Sequence, residues 1–332
     1  MQRYFDKAWW AHVVKLASPN YVAAGLMGEG AMVLDFIFAL GSAVASLEKS
    51  EGFKAKMAHL KTDESGSTAF EFLIAGYLQA GGLAVKFPGE SNTHKTPDIF
   101  ADCEGDCIAV ECKKLQLEEW ENWATDIGLR ALTDLLGNAA ERYVVQIDLD
   151  PRLSEIRFDD KRYPGFNETV AEAIILRIRS VIGEVIATAP HLPCEFPIAG
   201  LGRAVLRDKN DMVETSLSGF SVSPVWQLRR ILTNGLSPAI EQIPPNIPGI
   251  VVIQCEHLPD PDFARLVVDA ITGHDRTKFG RLSALVIVPR PYLNHSRPAL
   301  LFINRNSAVA GHTGACQLAL AALRKQLNVQ EA

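Results

Sequence analysis

Along residues 67 to 149 the spacing of apolar positions switches period three times. From Ser67 to about Ala80 it follows a helical repeat that Gly81-Gly82 ends, and it then breaks into the short apolar runs LAVKF, PDIFA and CIAVEC, each of strand length. ENWATDIGLRALTDLLGNAA returns to the helical repeat and closes near Gly137-Asn138, and RYVVQIDL is a further strand. The order helix, three strands, helix, strand predicts a compact α/β layer with helices covering the sheet.

Residues 1–60 carry no strand-like alternation and read as helices that end in the mixed-charge stretch EKSEGFKAKMAHLKTDE, a natural boundary. Within them AMVLDFIFALGSAVASL is the most membrane-like run. It is short for a bilayer span and contains Asp35, which costs about 2.5–3.5 kcal/mol at a bilayer centre, so a buried helix is the better expectation. Residues 151–332 continue in α/β style. Helices are expected over NETVAEAIILRIRSVIGEVIATA, VWQLRRILTNGL, FARLVVDAI and from Gly314 onward, and strands at FPIAGLGRAVL, TSLSGFSV, IPGIVVIQC, RLSALVIVP and ALLFINR. This gives three regions: 1–60 helical, 61–150 the α/β core, and 151–332 an α/β region extending or flanking it.

Composition narrows the function classes little. The 332 residues are 48% hydrophobic and 22% charged with a net charge of −6, so any polyanion site has to be a local patch. Six cysteines without scaffold spacing fit a reducing compartment, and the start lacks the pattern of a secretory leader, so a cytoplasmic protein is expected. Neither phosphate-cradling glycine motif is present, and the eight histidines form no metal-binding pair. Cys103, Cys107 and Cys112 lack the paired spacing of a zinc knuckle.

The chemistry concentrates in TPDIFADCEGDCIAVECKKL, residues 96–115. Strand alternation sends Ile108, Val110 and Cys112 to one face and Glu111 and Lys113 to the other. Gly105 marks the turn. A Glu104-Gly105 loop sets Asp98 opposite Glu111, whereas a Gly105-Asp106 loop sets it opposite Lys113. Two like charges directly opposed destabilise a sheet, and a hard divalent cation such as Mg²⁺ would turn that pair into a site, with Lys113 beside an incoming phosphate. The plainer alternative is a solvent-facing strand with a weak ion-pair cluster.

Pro97-Asp98 followed by Glu111-Cys112-Lys113 resembles the signature of the PD-(D/E)XK nuclease superfamily, and the order of elements over residues 67–149 resembles its core. The resemblance implies a restriction-endonuclease-like fold with the N-terminal helices and C-terminal α/β region as additions. It implies a Mg²⁺ ion, with Mn²⁺ as substitute, held by Asp98, Glu111 and the backbone carbonyl of Cys112. It also implies that Lys113 orients or activates the attacking water. Many members add a glutamate on the preceding helix, here Glu71, the sole charged residue between Glu64 and Lys86. Thr68-Ala69-Phe70-Glu71 also reads as a capping box. Gln146 in YVVQIDLD is the candidate polar residue near the site on the later strand. Arg229-Arg230 and the loop residues Arg276, Lys278 and Arg281 are candidate phosphate contacts, or ordinary solvated charges. The expected activity is phosphodiester hydrolysis of nucleic acid, DNA rather than RNA, with a protein partner or a second copy of the chain contributing basic surface. The alternative is a catalytically silent nucleic-acid- or protein-binding member of the same fold.

Overall fold

The structure is a computed structural model that describes residues 31–60, 65–89, 95–115, 119–133, 143–150, 152–153, 156–158, 161–162, 167–188, 191–208, 228, 230–255, 279–289, 299–304, 307, 314–327 and 329–331. The chain forms two compact units: residues 1–115 with 230–332, and residues 116–229.

The first unit is built on a mixed seven-stranded sheet. Its helices are α1 (Ala31–Ser46), α2 (Phe53–His59) and α3 (Ser65–Ala80), and its first strands are β1 (Ala84–Lys86), β2 (Ile99–Cys103) and β3 (Asp106–Lys114). These strands form an antiparallel meander. The turn between β2 and β3 is the two-residue loop Glu104-Gly105, with φ of 54° and 90°, and its register continues to place Asp98 opposite Glu111. Left-handed backbone at both central positions matches the twist of the strands and is the reason for Gly105. A Cβ at Gly105 would meet nothing within 4 Å. Gly105→Ala is therefore expected to lower stability by about 1 kcal/mol through backbone strain alone, and Glu104→Asn to raise it by some tenths, both read from denaturant midpoints.

Beside β3 lies a strand from far along the chain. The second unit contains α4 (Glu119–Thr133), β4 (Tyr143–Leu149), the small hairpin β5 (Arg157–Phe158) and β6 (Lys161–Arg162), α5 (Glu168–Ala187), β7 (Cys194–Ile198) and β8 (Gly202–Asp208). β4, β8 and β7 form a three-stranded antiparallel sheet in that order. One face packs Val145, Ile147, Phe196, Ala204 and Leu206 with Ile127 of α4 and Ile175, Ile178 and Ile182 of α5. α5 is capped by Asn167, whose side chain accepts from the Val170 N–H. Asn167→Ala is expected to cost about 1 kcal/mol in a thermal melt, local to this unit.

The chain returns to the first unit through a π-helical segment, Ile231–Leu236, and α6 (Ser237–Gln242). Then come β9 (Gly249–Cys255), β10 (Leu282–Pro289), β11 (Leu300–Ile303), α7 (Gly314–Leu327) and β12 (Gln330–Glu331). The sheet order is β1-β2-β3-β9-β10-β11-β12, with β9 parallel to both β3 and β10. One face, carrying Ile108, Val110, Cys112, Ile250, Val252, Ala284 and Val286, packs against helices α1, α2, α3 and α7. On the other, Gly235 lies against the Ile253 and Leu115 side chains and Ile243 against Gly249. Every residue of β9 is buried, which is what an unbroken GIVVI run between two parallel neighbours requires.

This arrangement corrects the expected contiguous core. The strand flanking β3 is β9, not RYVVQIDL. β4 alternates apolar Val145 and Ile147 with polar Gln146 and Asp148, a pattern suited to a sheet covered on one face. The expected 61–150 core accordingly separates, with residues 116–229 forming a unit of their own. TSLSGFSV and FARLVVDAI lie outside the described residues. Among the described residues no helix is long and apolar enough to cross a membrane.

Candidate active site

Asp98 stands just ahead of β2, where Pro97 decides the local hydrogen bonding. Ala109 and Leu115 donate their N–H groups to Pro248 and Gln254 carbonyls on the β9 side, so by alternation Cys112 points its N–H and carbonyl toward β2. The residue opposite Cys112 in that register is Pro97, which has no N–H to give. The Cys112 N–H is taken instead by Asp98 Oδ2 at 2.9 Å, and the Cys112 carbonyl receives no ladder bond from Pro97. In turn the Asp98 N–H donates to Glu111 Oε2 at 3.1 Å. One oxygen of each acid is thus fixed by backbone, and the other is left for chemistry.

Those remaining oxygens face ammonium groups. Lys113 Nζ is 2.5 Å from Glu111 Oε1. Lys56, on α2, ion-pairs with Glu71 Oε2 of α3 and lies 3.8 Å from Asp98 Oδ1. Lys56 is aimed by its neighbours. Phe53 and Met57 are buried on the inner side of α2, and Phe53 meets Phe72 of α3 edge-on, which meets Phe87 in the same way. The helix starts at Gly52 in the left-handed region, where a Cβ would sit 2.0 Å from the Phe87 carbonyl oxygen. Only glycine allows that approach.

Glu111 is fully buried and the Glu71 side chain is 8% exposed, while Asp98, Lys113 and Lys56 are 20%, 26% and 21% exposed. The cluster therefore meets solvent through Asp98 and the two lysines. This sets aside the plainer alternative of a solvent-facing strand, because both faces of β3 are covered. The capping-box reading of Glu71 also fails: α3 begins at Ser65, so Thr68 and Glu71 lie inside the helix, with the carboxylate turned inward onto Lys56.

Burial first, and then the charge of Asp98, push the Glu71 carboxyl up to about 7 against the opposing pull of Lys56. The same two causes push Glu111 up to about 8, opposed by Lys113. Burial works against the charge on Lys113 and Lys56, but their acid partners outweigh it and raise both ammonium pKa values. Among the described residues, three acids thus meet two ammonium groups here, and the two buried acids hold their protons to higher pH than free carboxyl groups do.

Among the described residues no three or more Asp, Glu, His or Cys side chains are gathered as a ready metal centre. The donor chemistry nevertheless suits a hard divalent cation: Asp98 Oδ1, Glu111 Oε1 and the Cys112 carbonyl are all oxygens that the backbone network leaves over.

The other residues singled out from sequence fall elsewhere. Gln146 is on β4 in the second unit, where its Nε2 donates to Asp148 Oδ1 at 3.3 Å. The polar residue on the strand that does flank β3 is Gln254, buried and paired in register with Lys114. Arg230 is buried rather than on a solvated face. Arg281 donates to the Ile243 carbonyl at 3.1 Å, which ties α6 to the edge of β10. Arg229, Arg276 and Lys278 lie outside the described residues. Lys56 was not legible as a site residue: EGFKAKMAH gives it an amphipathic-helix setting, but only the packing of α2 on α3 brings it to the acids. Comparison with family models, with curated proteins and with solved structures finds no match for this chain.

Proposed function

We propose that this cluster is the active site of a divalent-metal-dependent nuclease of restriction-endonuclease-like fold, hydrolysing phosphodiester bonds in DNA. The reading rests on one observation above all: a fully buried Glu111 set opposite Asp98, with Lys113 on its free oxygen, where Pro97 leaves the Cys112 carbonyl without a ladder donor. Burying acids in contact with one another costs stability, and a merely structural strand has no need of them. The sheet supports the same reading in a form the sequence did not suggest, since α3, the β1–β3 meander, α6 and β9 reproduce helix, three strands, helix, strand with residues 116–229 inserted before the last helix and strand.

Asp98 and Glu111, with the Cys112 carbonyl, would hold Mg²⁺ or Mn²⁺, which when bound acidifies water and offsets charge on the phosphoryl oxygens. Lys113 remains an ammonium, so it acts as a donor that orients the attacking water and faces the developing negative charge, and not as a base. Glu71, ion-paired with Lys56 beside Asp98, adds a further carboxyl group that ionises as the pH passes about 7.

The test is cleavage of plasmid and single-stranded DNA with Mg²⁺ or Mn²⁺, with chelator controls and the Asp98→Asn and Lys113→Ala variants. Metal-dependent cleavage lost in both variants is expected. Cleavage that survives both substitutions assigns the activity to another site. A second reading, a silent member that binds nucleic acid or protein, is favoured by one observation: each free carboxylate oxygen is already matched by a lysine. DNA binding without cleavage under any divalent metal supports it.

A further inference from the structure

Lys56 has no counterpart in the Pro97-Asp98 and Glu111-Cys112-Lys113 motif, yet it touches more of the acids than Lys113 does. Its Nζ pairs with Glu71 and stands 3.8 Å from Asp98 Oδ1, the oxygen that the Cys112 N–H leaves over. Glu71 Oε2 is buried and, among the described residues, makes no hydrogen bond apart from this ion pair. The position is set by the fold, because α2 is clamped by Phe53, Met57 and the Gly52 start.

We propose that Lys56 is a built-in counter-ion that competes with the divalent cation for Asp98 and Glu71: it stabilises the acid pocket when no metal is present and weakens metal binding when metal arrives. This rests on the metal-dependent reading above. A positive charge within 4 Å of a ligand oxygen repels a second cation there strongly, since the interaction scales inversely with distance and is little screened in a largely buried pocket. Removing that charge has opposite effects on the two states. The metal-free protein loses the partner of a buried carboxylate, while the metal-bound protein gains an undivided set of acids. A lysine that only pins α2 to α3 would affect both states equally.

The experiment compares wild type, Lys56→Gln and Lys56→Arg by Mn²⁺ calorimetry and by thermal unfolding with chelator or with Mn²⁺. For Lys56→Gln we expect a lower melting temperature in chelator, Mn²⁺ affinity tightened by about tenfold or more, and a larger Mn²⁺-induced rise in melting temperature. Lys56→Arg, which keeps the charge, is expected to bind Mn²⁺ like wild type. If metal-free Lys56→Gln does not fold, Mn²⁺ is expected to restore the fold, and failure to do so overturns the proposal. Unchanged Mn²⁺ affinity, with equal destabilisation in both conditions, also overturns it and leaves the nuclease reading intact. Absence in wild type of any Mn²⁺ binding that Asp98→Asn removes overturns both.

Discussion

Glu111→Gln is expected to reduce metal-dependent DNA cleavage by about 10³-fold or more, several kcal/mol of transition-state stabilisation, while the protein stays folded. The amide is nearly isosteric, and its oxygen can still accept the Asp98 N–H that Glu111 Oε2 now accepts at 3.1 Å. What it removes is the negative charge that Lys113 answers at 2.5 Å and that a cation would need. Lys113 then loses the carboxylate that holds its ammonium and the orientation that goes with it. Single-turnover cleavage at saturating Mg²⁺ measures the loss. Near-wild-type turnover would mean that Glu111 is a structural acid and that the chemistry lies elsewhere. Glu71→Gln separates the roles further. It leaves Asp98 and Glu111 in place, so a weaker metal affinity with a smaller loss of maximal rate is expected.

The metal-free protein should lose stability as the pH rises from about 5 to 8. Glu111 and Glu71 are raised from 4.5 to about 8 and about 7 in the folded chain, so the native state holds protons that the unfolded chain has already released in that interval. Their contribution is fully present below about pH 4.5 and is lost as pH climbs through 7 and 8. Each tenfold gain in proton affinity on folding is worth about 1.4 kcal/mol, and the two acids together amount to roughly a few kcal/mol, since ionising one raises the cost of ionising its neighbours. Urea unfolding in chelator at pH 5, 6.5 and 8 should show the decline, and Glu111→Gln should flatten it. Divalent metal favours the ionised acids, so added Mg²⁺ should stabilise more at pH 8 than at pH 6. A metal-free stability that rises steadily across this interval would contradict the burial of these carboxylates as charged-state liabilities.

How far the chain could be read before folding differs between its parts. The hairpin was largely legible in the sequence: strand alternation separated Glu111 and Lys113 from Val110 and Cys112, and Gly105 marked the turn, although a three-residue loop would have sent Asp98 to the other face. Choosing among the loops needed the backbone, because Glu104 at φ 54° is an uncommon residue for that position. The fourth strand of the core was misplaced for a different reason. Nearness in sequence favoured RYVVQIDL, but its one-sided alternation belongs to an open sheet, and the unbroken apolar GIVVI at residues 249–253 was the truer signal of a strand buried on both faces. Nothing local in the sequence indicated that more than a hundred residues would intervene between β3 and its parallel neighbour.

By itself the sequence determined where the acids and Lys113 stand along their strands, because the two-residue repeat of a strand and the missing N–H of Pro97 are properties of the covalent chain. Tertiary structure alone decided the environment of those groups: that Glu111 is sealed from water, that β9 covers one edge of β3, and that Lys56 reaches Glu71 and Asp98. Burial, and partnership between residues distant in sequence, arise only when separate elements pack, so no local pattern encodes them.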